Sequence, residues 1–207
     1  MVDRLRSLVS GMREAAVVPL HLLRTGPPGV GKTTAARAYA RELLGTDWEN
    51  RFNQLNASHD RSFQLIASRI LPLTRSPPSR GALLRIFLFD EVDHLPADSR
   101  FALLPALEGE GGSCQFILAG NDASGIAAAL RSRCVPMEFH AVGPEDLHRL
   151  LLSALAQAGS SLDDDRIRSV IARGDGIPRN AIKLLVEEIS RPGEPWVEAG
   201  PPIGLAF

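Results

Sequence analysis

The stretch Gly26-Pro27-Pro28-Gly29-Val30-Gly31-Lys32-Thr33-Thr34 places glycines, a lysine and hydroxyls in the spacing G-x-x-x-x-G-K-[ST]. Glycines at 26, 29 and 31 let the backbone turn tightly and bring successive N–H groups close to phosphate oxygens. Lys32 supplies a point charge for β- and γ-phosphates. The Thr33 hydroxyl is the expected Mg²⁺ ligand. A helix starting here adds the positive end of its dipole. Leu20-His21-Leu22-Leu23 reads as a short buried strand, and Thr34 to Leu44 as a helix rich in Ala and Arg. The other reading is a Gly/Pro loop that precedes a helix by chance. The order strand, loop, helix is the context phosphate binding requires, and it weighs against chance.

Three further strand ends carry groups of the right chemistry. In an open parallel sheet, ligands sit beyond the carboxyl ends of the strands. Asp90 and Glu91 follow the apolar run Leu83 to Phe89. Phosphoanhydride hydrolysis needs one carboxylate to hold Mg²⁺ and another to orient or deprotonate water, and Asp90 and Glu91 suit those roles in that order. Asp93 reads as a helix N-terminal acid, a salt-bridge partner or a DNA-facing residue. Asn121 ends the strand Cys114 to Ala119; its amide could meet a γ-phosphate or the attacking water, or serve an Asx turn. Arg131-Ser132-Arg133-Cys134 precedes a last strand, Val135 to Phe139. An arginine there could supply charge to the site of a neighbouring subunit. Arg179 opens a late helix and could fold back over the phosphates. Cys134 reads as a small buried apolar residue.

The elements that must position these groups follow from pattern. Apolar Leu5, Leu8, Val9 and Met12 predict an amphipathic helix over 2–18. Phe52 to Ala57 predicts a strand, 61–72 a helix, and Thr74 to Gly81 a loop with exposed Arg75 and Arg80. Helices are expected at 98–107 and 124–130. After residue 141 the alternation stops, and three helices follow near 144–158, 163–173 and 179–190. The expected architecture is α/β: a parallel sheet flanked by helices over 1–140, a small all-helical domain over 141–191, and an irregular tail over 192–207.

Composition sets bounds. The 207 residues, 44% hydrophobic and 23% charged, are those of a globular chain. The net charge of −1 gives no whole-chain attraction to nucleic acid, so any DNA contact must be local. Two cysteines, Cys114 and Cys134, are too few for a disulfide framework. With no charged-then-apolar leader and no apolar run of membrane-spanning length, a reducing cytosol or nucleus is expected. Only Lys32 and Lys183 are lysines among 23 basic residues, which makes a lysine at the phosphate position less of a coincidence.

Together these residues resemble an AAA+ ATPase, a P-loop NTPase with a helical lid. Within that superfamily they are most similar to clamp-loader small subunits of the replication factor C type. Gly26 to Thr34 is similar to the family's Walker A, and Leu88-Phe89-Asp90-Glu91-Val92-Asp93 to its Walker B. Leu55-Asn56-Ala57-Ser58 with Asp60-Arg61 resembles the Asn-Ala-Ser-Asp segment. Ser132-Arg133-Cys134 resembles the Ser-Arg-Cys box. The resemblance implies that Asn121 is sensor 1, that Arg133 acts in trans and that Arg179 is sensor 2. It implies ATP and Mg²⁺ as cofactors. It also implies other clamp-loader subunits, a sliding clamp and the primer–template DNA backbone as partners, with hydrolysis driving clamp loading. The setting would be cytoplasmic, or nuclear in a eukaryote, with no membrane. The sequence departs from the pattern at an inserted His59, at Gly176-Ile177-Pro178-Arg179, which is closer to branch-migration motors, and at its start, which lacks the family's Lys-Tyr-Arg-Pro segment. Residues 192–207 are too few for the collar domain, so a collar-less form or an incomplete chain is expected. Alternatives are a branch-migration or helicase-loading ATPase, or an ATP-dependent assembly module with little turnover.

Overall fold

All seven residues of the strand Cys114–Gly120 are buried, as expected for the apolar centre of a parallel sheet covered on both faces. The computed structural model describes residues 20–57, 68, 70, 72–73, 84–108 and 114–190. The expected helices over 2–18 and 61–72, the residues Ser58, His59, Asp60, Arg61, Arg75 and Arg80, and the tail over 192–207 lie wholly or mostly outside the described residues.

The chain divides into two compact units. In the first, β1 (His21–Thr25) leads to α1 (Lys32–Leu44), a 3-10 turn (Gly45–Asp47), the short α2 (Trp48–Arg51) and β2 (Phe52–Asn56). Then come β3 (Arg85–Asp90), a 3-10 turn (Val92–His94), α3 (Ala97–Glu108), β4 (Cys114–Gly120), a 3-10 turn (Ala123–Gly125), α4 (Ala128–Arg131) and β5 (Cys134–Glu138). The sheet order is β2-β3-β4-β1-β5, with every pairing parallel. The chain therefore reverses its winding around β1, which lies between β4 and β5. That switch point is where open α/β sheets bind ligands.

The register aligns the strand ends that matter. Thr25 pairs with Gly120, and Asn56 with Asp90. The core fixes this register. Phe116, fully buried, stacks on Phe87 at a centroid distance of 5.5 Å and lies against Phe89 at 6.2 Å. Burying one such ring contributes about 1.5–3 kcal/mol. A slip of one residue would turn all three rings to the wrong face. Among the described residues, no helix is long and apolar enough to cross a membrane.

Among the described residues, the second unit comprises Pro27–Gly31 and residues 140–190. Its helices are α5 (Pro144–Ala158), α6 (Asp164–Gly174) and α7 (Pro178–Ile189). Each start has a local cause. Pro144 and Pro178 stand in the first turns of α5 and α7, where a missing N–H costs nothing. The Asp163 side chain caps α6 by accepting from Arg166 N–H at 2.8 Å. One apolar stripe from each helix makes the core: Leu147, Leu151 and Leu155 meet Ile167, Val170, Ala181 and Leu185. Gly174 lies so close to Ala181 that a Cβ there would come within 3.0 Å of the alanine methyl.

Candidate functional site

The first turn of α1 holds Lys32 and Thr33 and contains no acidic residue, whereas α5 and α6 carry Glu145, Asp146, Asp164 and Asp165 in theirs. An acid at a helix N-terminus satisfies its exposed amides; without one, they remain suited to an anion. The turn sits directly beyond β1, and two strand ends converge on it. The Thr33 hydroxyl donates to Asp90 Oδ2 at 2.6 Å. Lys32, 8% exposed, donates through Nζ to the Gly26 carbonyl at 2.6 Å and to Asn121 Oδ1 at 3.3 Å. Lys32 and Asn121, 89 positions apart in the chain, thus meet through the ammonium.

Asn121 is held by its backbone as well. Gly26 N–H donates to its carbonyl at 3.2 Å, and its own N–H donates to Asp93 Oδ2 at 3.3 Å. The Asp93 carboxylate therefore joins the end of β4 to the turn after β3, and Arg100 Nη2 donates to the Asp93 carbonyl at 3.4 Å. Of the three roles weighed for Asp93 from sequence, none describes this tie. Its only sequence signal is the spacing Asp-Glu-Val-Asp, because its partner depends on β3 pairing with β4. Gly26 has φ 142°, and a Cβ there would overlap the Phe139 carbonyl oxygen at 2.1 Å, so only glycine fits.

Glu91 is one of two described non-glycine residues with positive φ, at 56°. Left-handed geometry at such a residue costs on the order of 1 kcal/mol and marks positions the fold holds in place for a purpose. The turn puts Glu91 immediately after Asp90, whose Oδ1 accepts the Glu91 N–H at 3.2 Å. Nothing in the residue type forecasts this conformation.

Within the second unit, Arg179 N–H donates to the Gly29 carbonyl at 3.3 Å. Gly29 has φ 83°, and a Cβ there would come within 2.8 Å of Ile177 and 3.0 Å of the Arg179 Cβ. That contact explains why Pro27–Gly31 groups with the helical residues. Pro27, Pro28, Val30 and Gly31 complete this segment, and Thr34 follows Thr33 on α1.

The donor set fits a nucleoside triphosphate with a hard cation. Among the described residues, no three or more His, Cys, Asp or Glu side chains group to hold a metal by themselves. Mg²⁺ takes one or two protein ligands and completes its shell from water and substrate phosphates. The Thr33 hydroxyl and the Asp90 carboxylate are oxygen donors of the required kind.

A family model for the ATPase family associated with various cellular activities (AAA) matches residues 22–140, more than half of the chain. The chain belongs to the AAA family. AAA membership carries nucleotide binding with it, and each converging residue of the first unit lies inside the matched span. The chain is 36% identical over 183 residues to the replication factor C small subunit of Archaeoglobus fulgidus, covering 88% of this chain and 57% of that protein. It is 34% identical to that of Methanosarcina acetivorans, covering 89% and 53%. The chain thus spans little more than half the length of these relatives. In fold it is similar to the Thermotoga maritima RuvB Holliday junction branch migration motor, with a TM-score of 0.76 at 22% identity over 89% of this chain and 59% of that one.

The arginines of the AAA domain separate by their partners. Arg131 Nη1 donates to the carbonyls of Ala123 and Ile126, both at 2.7 Å, and so braces the loop after β4. Arg133 Nη1 donates to the Ala129 carbonyl at 2.7 Å, and its Nη2 pairs with Glu108 at the surface. An exposed pair of this kind is weak, about 0–1 kcal/mol, and can be exchanged for a stronger anion. Burial pushes the Cys134 thiol up to about 12 and the Cys114 thiol up as well, so both stay protonated at neutral pH.

Proposed function

We propose that this chain is an ATP-binding and hydrolysing subunit of a clamp-loader-like complex that places a sliding clamp on primer–template DNA. The observation that carries the site chemistry is the convergence of Lys32, Thr33, Asp90 and Asn121 at the switch point of the sheet. The similarity to replication factor C small subunits supports the biological reading.

In this reading Gly26 to Thr34 cradles the triphosphate, and Lys32 donates to its β- and γ-oxygens. Mg²⁺, when bound, neutralises charge on those oxygens, held by Thr33 and Asp90. Glu91 accepts a proton from the attacking water as the water oxygen bonds to the γ-phosphorus and the bond from that phosphorus to the bridging oxygen breaks, leaving ADP and phosphate. Asn121 orients that water or the γ-phosphate. Arg179 senses the γ-phosphate. Arg133 leaves Glu108 to complete the site of a neighbouring subunit. DNA is gripped through its backbone, since a loader acts at any sequence. The compartment is that of replication, the cytoplasm or a nucleus.

Two variants probe this arrangement. Asp93→Ala removes the carboxylate that receives Asn121 N–H and should lower ATP turnover about tenfold while leaving ATP affinity within about twofold, since Asn121 then drifts and Lys32 does not. Steady-state kinetics and calorimetry check it, and equal losses in turnover and affinity would contradict it. Arg133→Ala subunits and Lys32→Ala subunits should each be inactive alone, yet regain ATPase activity when mixed, because each supplies what the other lacks. No recovery on mixing, with both variants folded, would remove the trans role of Arg133.

The biological reading is tested by ATPase assays of the full chain with its native partners. Stimulation by a sliding clamp with primed DNA is the expected result. Stimulation by four-way junction DNA alone would favour a branch-migration motor and overturn the clamp-loader reading.

A further inference from the structure

Arg24 stands next to the last residue of β1, between Leu23 and Thr25, and is 0% exposed. Its Nη1 donates to the Lys32 carbonyl at 3.0 Å. Its guanidinium lies 5.9 Å from the centre of the Tyr39 ring and 5.8 Å from that of Phe139. Among the described residues, neither Nε nor Nη2 has a hydrogen-bond partner. Tyr39 does not neutralise it, because burial pushes its hydroxyl pKa up and the hydroxyl donates to Gln115 Oε1 at 3.0 Å. A fully buried cation with two donors unpaired and no acid beside it among the described residues is costly, and a neutral residue would fill this slot at less cost. Arginine is the cation best suited to it, being planar, weakly hydrated and compatible with aromatic faces. Burial pushes its pKa down to about 10, which still leaves it charged at neutral pH.

The location suggests why the cost is borne. Among the described residues, the one hydrogen bond of the Arg24 side chain goes to the carbonyl of the residue whose ammonium is the phosphate-binding candidate. A charge within the protein interior is screened far less than one at the surface.

We propose that Arg24 is a positioning and electrostatic residue of the nucleotide site: it fixes the first turn of α1 through the Lys32 carbonyl, and its buried positive charge strengthens binding of the more highly charged triphosphate over the diphosphate. The proposal rests on the reading of Lys32 as a phosphate ligand. It makes β1, and not only the loop after it, part of the affinity of the site. It also predicts that the charge, rather than the hydrogen bond alone, is what nucleotide binding uses.

The test measures ATP and ADP dissociation constants and the thermal midpoint for wild type, Arg24→Gln, Arg24→Lys and Lys32→Ala. Arg24→Gln keeps a donor for the Lys32 carbonyl and removes the charge. It should weaken ATP about tenfold and ADP clearly less, with a midpoint in the absence of nucleotide equal to or above that of wild type. Arg24→Lys should stay within about twofold of wild type for both nucleotides. Arg24→Gln binding ATP like wild type, or Arg24→Lys falling as far as Arg24→Gln, would overturn the proposal. Should Arg24→Gln not fold, Arg24→Met, whose apolar stem suits the slot between the rings, takes its place in the same comparison. If every neutral replacement fails to fold, the guanidinium is a purely structural part and the proposal falls. Lys32→Ala separates the two levels: if it binds ATP as wild type does, the phosphate-loop reading itself is wrong, whatever Arg24 does.

Discussion

Lys32→Ala is expected to weaken ATP binding by about 10- to 100-fold, the loss of a charge-assisted hydrogen bond worth about 1.5–3 kcal/mol. The geometry argues for a specific loss and not a general one. Lys32 is 8% exposed, and its ammonium meets the Gly26 carbonyl and Asn121 Oδ1, both neutral acceptors that a phosphate can outcompete. Alanine is the best helix former, and position 32 opens α1, so the fold should tolerate the change. Isothermal calorimetry or a fluorescent ATP analogue reads the affinity, and circular dichroism checks the fold. An unchanged dissociation constant would show that the triphosphate does not sit on this turn.

The second large effect is at Glu91. Glu91→Gln should reduce ATP turnover by about 10²- to 10⁴-fold, the usual contribution of a positioned general base. ATP affinity should stay within a few-fold of wild type. The glutamine keeps the backbone N–H that donates to Asp90 Oδ1 at 3.2 Å, and it has no better claim on a φ of 56° than glutamate has. The pair Thr33 and Asp90, proposed to hold the metal, is untouched. The expected protein is therefore one that binds ATP and holds it, detectable as a stable complex by gel filtration with labelled nucleotide. Turnover at the wild-type rate would move the base elsewhere, with Asp93 excluded by its tie to Asn121.

The two variants separate steps that the structure places on different strands. Lys32 belongs to the helix after β1 and, in the proposed reaction, acts when the triphosphate arrives. Glu91 belongs to the turn after β3 and, in the same proposal, acts only when water attacks. A variant of Asp93 should resemble Glu91→Gln in kind and not in size, because Asp93 reaches the chemistry only through Asn121.

How legible the molecule was depends on the range of the interaction concerned. The apolar runs Leu83 to Phe89 and Cys114 to Ala119 announce buried parallel strands because burial on both faces leaves no room for alternation; the strands run Arg85–Asp90 and Cys114–Gly120. The three late helices, expected near 144–158, 163–173 and 179–190, run Pro144–Ala158, Asp164–Gly174 and Pro178–Ile189; breaks such as Gly143-Pro144 and Gly159 are legible because caps are chosen locally. The expected helix over 124–130 proved to be a 3-10 turn, Ala123–Gly125, and a short helix, Ala128–Arg131. The Asp122 side chain, accepting from Ser124 N–H at 2.9 Å, favours a tight turn over a helical start.

By itself the sequence determined the phosphate-loop motif, the acidic pair at 90 and 91, the order of the described strands and most of the described helices, and the groups worth watching at each strand end. These depend on residue type and spacing over a few positions, which the chain carries in plain form. Only the tertiary structure decided that Asn121 shares the Lys32 ammonium, that Asp93 holds Asn121, that Arg131 is committed to carbonyls while Arg133 is held by a surface acid, and that Glu91 is left-handed. It alone decided that Arg24 is fully buried with two donors unpaired among the described residues, its third on the Lys32 carbonyl. The reason is topological: with β4 inserted between β1 and β3, partners 28 and 89 residues apart become neighbours. Which side chain meets which across that sheet is fixed by register and packing, and neither is written in any one segment of the chain.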